Sequence, residues 1–421
     1  MKQGPVLDRS NGGSEAATTS PALPDINTET YPFEVVQRLL DEAAYFNLYS
    51  LPQASECHPL LDPASPSALR GFKVVENLHR MTSRLSTPAP AQGLGALTQV
   101  GENLGHATHR WMLIPDDFAA LPGLEPPPVA LDISRSQRFV MLDSRFWLGE
   151  GEDGFIGFGT GTTYPTNSNG QRQLLVAAVG NIMEGRGRFK EHQGTYTYCG
   201  RISTRGFHGS LLLRVMDPEG SLRTDVSLPA IQEIRHPEPG ITYMFFRGQK
   251  RDRAQKTEYI FSSDGSITGL HVTQQLRDLH VDCAKLRGSQ VRARSQVGPV
   301  IGSMTAQITF NLLHPGAPGT ATSPIPFKSY NTYTFFDLEG REIGTVEADG
   351  GEGRTFNLAF PAAPGQRALR FGGFGPIVKG TGWFHGIEGL MTDNSVVGIA
   401  PHALATYYVL RINDPEGRFA L

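Results

Sequence analysis

The chain has 421 residues, of which 39% are hydrophobic and 19% charged, and a formal net charge of −3 at neutral pH. That length supports two or three cores of ordinary size. The near-neutral balance gives no electrostatic case for nucleic acid, and no run approaches the roughly 18 apolar residues of a membrane-spanning helix.

From the N-terminus, residues 1–29 are polar and rich in Ser, Thr, Pro and Gly without an apolar signal-peptide core. They read as a disordered tail on a cytoplasmic protein. Cys57, Cys199 and Cys283 are isolated in sequence, which fits a reducing compartment. Residues 30–128 read as a helical region. Phe33, Val36, Leu39, Leu40 and Ala43 recur at helical spacing behind Thr30 and Pro32. Leu69, Phe72, Val75, Leu78 and Met81 do so behind Ser65 and Pro66. Thr87–Gly105 reads as a loop, Asp116–Leu121 as a further helical turn, and Pro126-Pro127-Pro128 as a boundary.

Beyond Leu131 the pattern turns to short β runs: Gln137–Leu142, Gln173–Val179, Gly194–Ile202, Ser210–Met216, Thr242–Phe246, Thr257–Phe261, Ile267–Thr273, Ala306–Leu312, Tyr330–Phe336, Ala368–Phe371 and Tyr407–Ile412. Turn signals such as Asp153-Gly154 and Ser263-Asp264-Gly265 separate them, as expected of an antiparallel sandwich or barrel. Thr273–Leu286 fits either a strand or a short helix. The 48 glycines and 30 prolines agree with many strands and turns.

A duplication runs through this half. Gly180-x-Ile182-x-x-Gly185-x-Gly187-x-Phe189 returns as Gly375-x-Ile377-x-x-Gly380-x-Gly382-x-Phe384, and Gly194-x-x-Thr197 returns as Gly389-x-x-Thr392. Gly170-Gln171-Arg172-x-Leu174 returns as Gly365-Gln366-Arg367-x-Leu369 in the same register. Two positions out of step, Leu213-Arg214-Val215-x-Asp217-Pro218-Glu219-Gly220 returns as Leu410-Arg411-Ile412-x-Asp414-Pro415-Glu416-Gly417. Two copies of one β module follow, placed at 129–290 and 291–421. The repeated glycines suit bulges and corners, and Asp-Pro-Glu-Gly is turn chemistry.

The corner Gly185–Gly194, with its copy Gly380–Gly389, resembles the Gly-x-Gly-x-Phe-x-x-x-x-Gly corner of dirigent proteins and allene oxide cyclases. The resemblance covers about forty residues per copy. It implies for each copy an antiparallel eight-stranded barrel able to hold an apolar ligand; with the duplication and the helical region, the expected fold is mostly β, two tandem barrels behind a helical N-terminal extension. The tandem arrangement and that extension depart from both families, and neither family's catalytic residues map beyond the corner.

Motifs for demanding chemistry are weak. Gly157-Phe158-Gly159-Thr160-Gly161 lacks the Lys-Ser/Thr of a P-loop and reads as a barrel turn. Glu102, His106 and His109 could share a helix face toward a metal, but their segment reads as loop, so no metal is assigned. His236-Pro237-Glu238 lacks the cysteines of a zinc deaminase. No Gly-x-Ser-x-Gly elbow occurs. No cofactor is expected.

The strands offer other candidates. His208, Ser210, Leu212 and Arg214 share one face by period two, as do Tyr407, Val409 and Arg411. An inward arginine could hold an enolate, carboxylate or phenolate. An outward one would be solvated or steady a turn through Asp217 or Asp414, and this is the favoured reading. Tyr196 and Tyr198 share a face, as do Tyr333, Phe335 and Asp337, with Glu339 at the strand end. Either set suits an apolar pocket with one acid or base, or an ordinary sheet face. Arg214, Arg411, Asp337 and Glu339 are therefore the candidate catalytic groups. Tyr196, Tyr198, His208, Tyr333, Phe335 and Tyr407 are the candidate binding groups. The expected function is a cofactor-independent cyclase or isomerase shaping an apolar, natural-product-like intermediate. The alternatives are a non-catalytic carrier or stereo-directing binder of a hydrophobic small molecule, and an interaction protein with filled barrels. The expected partner is that small molecule, with no nucleic acid or membrane and with self-association open.

Overall fold

The computed structural model describes residues 33–51, 56–86, 93–118, 120–127, 129–168, 171–203, 206–231, 237–250, 257–263, 267–286, 290–310, 325–359, 367–398 and 404–421. The expected tail at 1–29 lies outside them. One helix, α1 (Phe33–Asp41), precedes β1 (Ala43–Ser50), β2 (Glu56–Asp62), β3 (Ser65–Ser86), β4 (Gly95–Leu113), β5 (Gln137–Leu148), β6 (Gly154–Ser168), β7 (Gln171–Arg186), β8 (Gly194–Ser203) and β9 (Gly206–Met216). A connecting segment leads to β10 (Ile241–Gln249), β11 (Thr257–Phe261), β12 (Ile267–Lys285), β13 (Val291–Phe310), β14 (Ile325–Phe336), β15 (Glu342–Ala359), β16 (Arg367–Gly380), β17 (Gly389–Gly398) and β18 (Leu404–Asn413).

All strands belong to one antiparallel hydrogen-bonded network, within which the pairing closes twice. The first circuit runs β1–β9–β8–β7–β6–β5–β4–β3 and back to β1. The second runs β10–β18–β17–β16–β15–β14–β13–β12 and back to β10. β2 and β11 each form a hairpin on the strand that follows. A single bridge pair, Ser83 with Val281, joins β3 to β12.

Period-two alternation decides what each strand buries. On β9, Phe207, Leu211, Leu213 and Val215 join the core inside the first circuit. On β18, Leu404, Tyr408, Leu410 and Ile412 join the core inside the second. The opposite faces of these strands meet each other. Tyr45, Tyr49, Met81 and Leu212 of the first circuit pack with Tyr243, Phe245, Tyr407 and Val409 of the second. These strands are therefore buried on both faces along almost their whole length.

The repeated corner is a 3-10 turn in both circuits, Gly187–Phe189 and Gly382–Phe384. Gly187 and Gly382 both have φ +56°, a left-handed conformation that strains other residues. A Cβ on Gly185 or Gly380 would lie 1.8 or 1.9 Å from the carbonyl oxygen of Phe189 or Phe384. Spacing and glycine identity thus follow from one backbone path.

The mostly β expectation holds, but the helical region at 30–128 does not. Beyond α1, that stretch supplies β1 to β4. The three-residue spacing of Phe72, Val75, Leu78 and Met81 arises because β3 has apolar residues on both faces and a register shift at Leu78/His79. Residues 95–105 are strand, and 116–117 form a turn without helix. The boundaries 129–290 and 291–421 are corrected as well. The first circuit closes within 43–216 and the second within 241–413, because β10 to β12 pair with later strands. Gly157 to Gly161 lie inside β6, not in a turn. A Cβ on Gly157 would reach within 2.7 Å of the Tyr196 ring, and one on Gly161 within 2.3 Å of Phe139. Residues 273–285 are strand. No helix among the described residues is long and apolar enough to cross a membrane.

Candidate functional site

A narrow cavity of about 60 Å³ opens at one end of the second circuit. Four strands build its floor from inward positions, Gln274 on β12, Met304 on β13, Asp393 on β17 and Tyr408 on β18, and Tyr333 on β14 packs beneath it. Gln274 faces Met304 across one strand pair, Met304 faces Tyr333 across the next, and Asp393 faces Tyr408 across a third. Gln274 Nε2 donates to Tyr408 Oη at 2.8 Å, and Tyr408 Oη lies 3.7 Å from Met304 Sδ. The Tyr333 and Tyr408 rings meet edge to face, 5.1 Å between centroids. Beneath them, Phe335 packs on Phe384 and Phe384 on Phe419, which seals that end.

Asp393 is the acid that lines the cavity, and no Lys, Arg or His lines it among the described residues. Burial pushes its carboxyl up to about 6, against the lowering pull of its hydrogen bonds from the Gly373 amide and Ser395 hydroxyl. The amide donates to Asp393 Oδ1 at 2.9 Å and the hydroxyl at 3.4 Å. Gly373 leaves room for this, since a Cβ there would sit 2.4 Å from Asp393 Oδ2. Burial, then the Asp393 charge, raises Tyr408 well above the ordinary phenol range. Asp393 can thus change protonation near neutrality while the phenols stay protonated.

The first circuit shows the same positions filled differently. Tyr45 pairs with Arg214 as Tyr243 pairs with Arg411, and Leu48 pairs with Arg80 as Phe246 pairs with Asp278. Counting along the strands sets Glu76 at the place of Gln274, His109 at Ala306, Trp111 at Ile308, Tyr198 at Asp393 and Phe207 at Leu404. The larger residues close the space: Trp111 stacks on Phe139 at 5.0 Å and lies 5.6 Å from Phe207. Tyr198 Oη donates to Glu76 Oε2 at 3.3 Å and lies 2.9 Å from His109 Nε2. Burial pushes Glu76 up to about 8 and His109 down to about 3. Both are neutral at pH 7, so their 3.9 Å approach is a contact between neutral groups.

The candidate residues from the sequence scatter across this architecture. Arg214 and Arg411 point away from both interiors, into the seam between circuits. Arg214 donates to the carbonyls of Ala405, Asn394 and Leu40 at 2.8, 3.3 and 3.2 Å and lies over Tyr45 and Tyr407. Arg411 donates to Glu238 Oε2 at 3.1 Å. The expected partners Asp217 and Asp414 instead accept backbone N–H groups of their own turns. Tyr407 stacks on Tyr45 in the seam, and His208 packs edge-on to Tyr49 there. Tyr196 and Tyr198 face inward, but in the filled circuit. Tyr333 lies under the cavity and Phe335 deeper still.

Asp337 and Glu339 occupy the β14–β15 turn, at the end away from the mouth. Asp337 Oδ1 accepts from the Glu339 and Arg341 amides, and Glu339 pairs with Arg341. They steady a turn and do not reach the cavity. Glu102 pairs with Arg80, His106 stacks on Trp147 and His109 points inward. No cluster of three metal-ligating side chains occurs among the described residues. His236 lies outside them.

Sequence reading missed Asp393, Gln274 and Tyr408. The duplication held a usable signal: at the 195-residue offset, Asp393 stands over Tyr198, so the copies differ in character at an inward position.

No family model matches the chain, and no curated relative matches it. Among solved structures, a pterocarpan synthase dirigent protein is similar over 42% of this chain and 87% of its own, at 13% identity and a TM-score of 0.25. A likeness that loose carries no weight beside the strand pairing itself.

Proposed function

We propose that the two circuits are tandem β-barrels derived by duplication, and that the second is the functional copy. In this reading it binds an apolar small molecule and acts as a cofactor-independent cyclase or isomerase. The observation that carries it is Asp393, a buried carboxyl in a cavity that no Lys, Arg, His or Glu lines among the described residues, with its protonation poised near neutrality. A general acid or base works best with a pKa near the operating pH. The walls would hold a flexible substrate folded, and such positioning can lower a barrier by about 7–11 kcal/mol in favourable cases. Asp393 would then move one proton on the enclosed substrate. Arg214, Arg411, Asp337 and Glu339 have no part in this chemistry.

A second reading, a carrier or stereo-directing binder, draws support from the mostly apolar lining and from the hydrogen bonds that already hold Asp393. Native mass spectrometry against apolar polyketide, terpenoid, oxylipin and phenolic compounds, followed by product analysis, separates the two. A ligand returned chemically changed by the native protein but unchanged by Asp393→Asn supports the enzyme. One returned unchanged by both supports the carrier. No ligand at all sinks both.

A further inference from the structure

The polarity of the cavity changes in steps with depth. β17 and β18 show it most directly: Val397 faces Leu404 at the mouth, Ser395 faces Thr406 one step in, and Asp393 faces Tyr408 at the floor. β12 and β13 run the same way, from Leu270 facing Ile308 nearer the mouth to Gln274 facing Met304 at the floor. β14 carries Ser329 and Asn331 between Phe327 at the mouth and Tyr333 below. Phe310, Phe327, Val397 and Leu404 make the entrance apolar, and the hydrogen-bonding groups lie further in.

The floor has a defined donor and acceptor layout. Tyr408 Oη accepts from Gln274 Nε2, so its own O–H is left to donate, with the thioether of Met304 as its present neighbour. Sulfur is a weak acceptor that an oxygen would replace at little cost. Asp393 stands directly across the strand pair, where side chains are about 4.5–5.5 Å apart at Cβ. A hydroxyl seated between them would accept from Tyr408 and donate to Asp393. A carboxylate would meet Asp393 without a balancing cation, whereas an ammonium would balance the Asp393 charge but give the Tyr408 O–H no acceptor.

We infer that the cavity takes a neutral amphiphile, an alcohol or phenol on an apolar body, with its hydroxyl on the floor between Tyr408 and Asp393 and its body toward the mouth. This rests on the second circuit being the binding copy.

The test uses the full chain at pH 7.5 and three probes of one length: 1-octanol, octanoate and octylammonium. Each is titrated against a bound fluorescent apolar dye, and folding of every variant is checked by urea unfolding. Octanol should displace the dye at a concentration at least tenfold below octanoate and no higher than octylammonium. Tyr408→Phe should weaken octanol about five- to tenfold and leave octanoate unchanged. Asp393→Asn should narrow the gap between octanol and octanoate. Octanoate binding as well as octanol, or octylammonium binding best, overturns the head-group assignment while leaving the cavity reading intact. Failure of the dye and all three probes to bind overturns the cavity reading itself.

Discussion

Replacing Asp393 by asparagine keeps shape and the hydrogen bond from Gly373 but removes the charge. An acid whose folded-state pKa is raised holds its proton more tightly folded than unfolded. Its contribution to stability is complete below the unfolded pKa and is lost as pH rises toward the folded one. For Asp393 the window runs from the ordinary 3.8 to about 6. At about 1.36 kcal/mol per pKa unit, the loss across it is about 3 kcal/mol. The asparagine amide does not titrate, so all other groups cancel when variant and native protein are compared at the same pH. The stability of Asp393→Asn relative to native should therefore rise by about 3 kcal/mol between pH 4 and pH 7, then level off. Urea unfolding at half-unit pH intervals measures it. A difference that stays constant over that range would show that Asp393 ionises as freely folded as unfolded, and the argument for a buried acid in the cavity would fail.

Glu76→Gln should follow the same sign over a higher window, from 4.5 to about 8, with a relative gain approaching about 5 kcal/mol by pH 8, read by the same unfolding series. Arg214→Ala strips donors from three buried carbonyls and should cost about 2–4 kcal/mol in urea unfolding, with dye affinity in the cavity within twofold of native. Gly382→Ala combines a positive φ with a Cβ 2.4 Å from the Ile343 carbonyl oxygen, whereas Gly386 has positive φ and open space. Calorimetry should show a larger fall in melting temperature for Gly382→Ala than for Gly386→Ala, whose cost is the backbone alone, about 1 kcal/mol.

The repeated corner was legible because a turn needs particular glycines wherever it recurs. The strand runs were legible, where they fall on described residues, because β-branched and aromatic residues cluster there between turn signals. β6 was hidden by its glycines, which are small so that Tyr196 and Phe139 fit inside. β3 was hidden by the register shift after Leu78, which breaks the alternation that marks a strand. The Arg214 and Arg411 faces were read correctly as shared, but alternation assigns a side chain to one of two faces without saying which is the inside. In this chain the outer face is also buried, so burial does not break the tie. Asp393 went unread because a lone acid between Thr392 and Asn394 looks like any polar strand position. Its meaning comes from strands far away in sequence, which close around it.

The circuits close by joining their first strand to their last, β1 to β9 and β10 to β18. During synthesis the first circuit cannot seal until residue 216 has left the ribosome. The 197 residues from Met216 to the end of β18 at Asn413, 413 less 216, then take roughly 10–40 s to be made at typical elongation rates. Throughout that interval the face carrying Tyr45, Tyr49, Met81 and Leu212 has no second circuit to cover it. A nascent chain in this state carries a closed strand circuit with one apolar side uncovered. The order of the halves therefore makes the slowest-arriving strands the ones that protect the earliest.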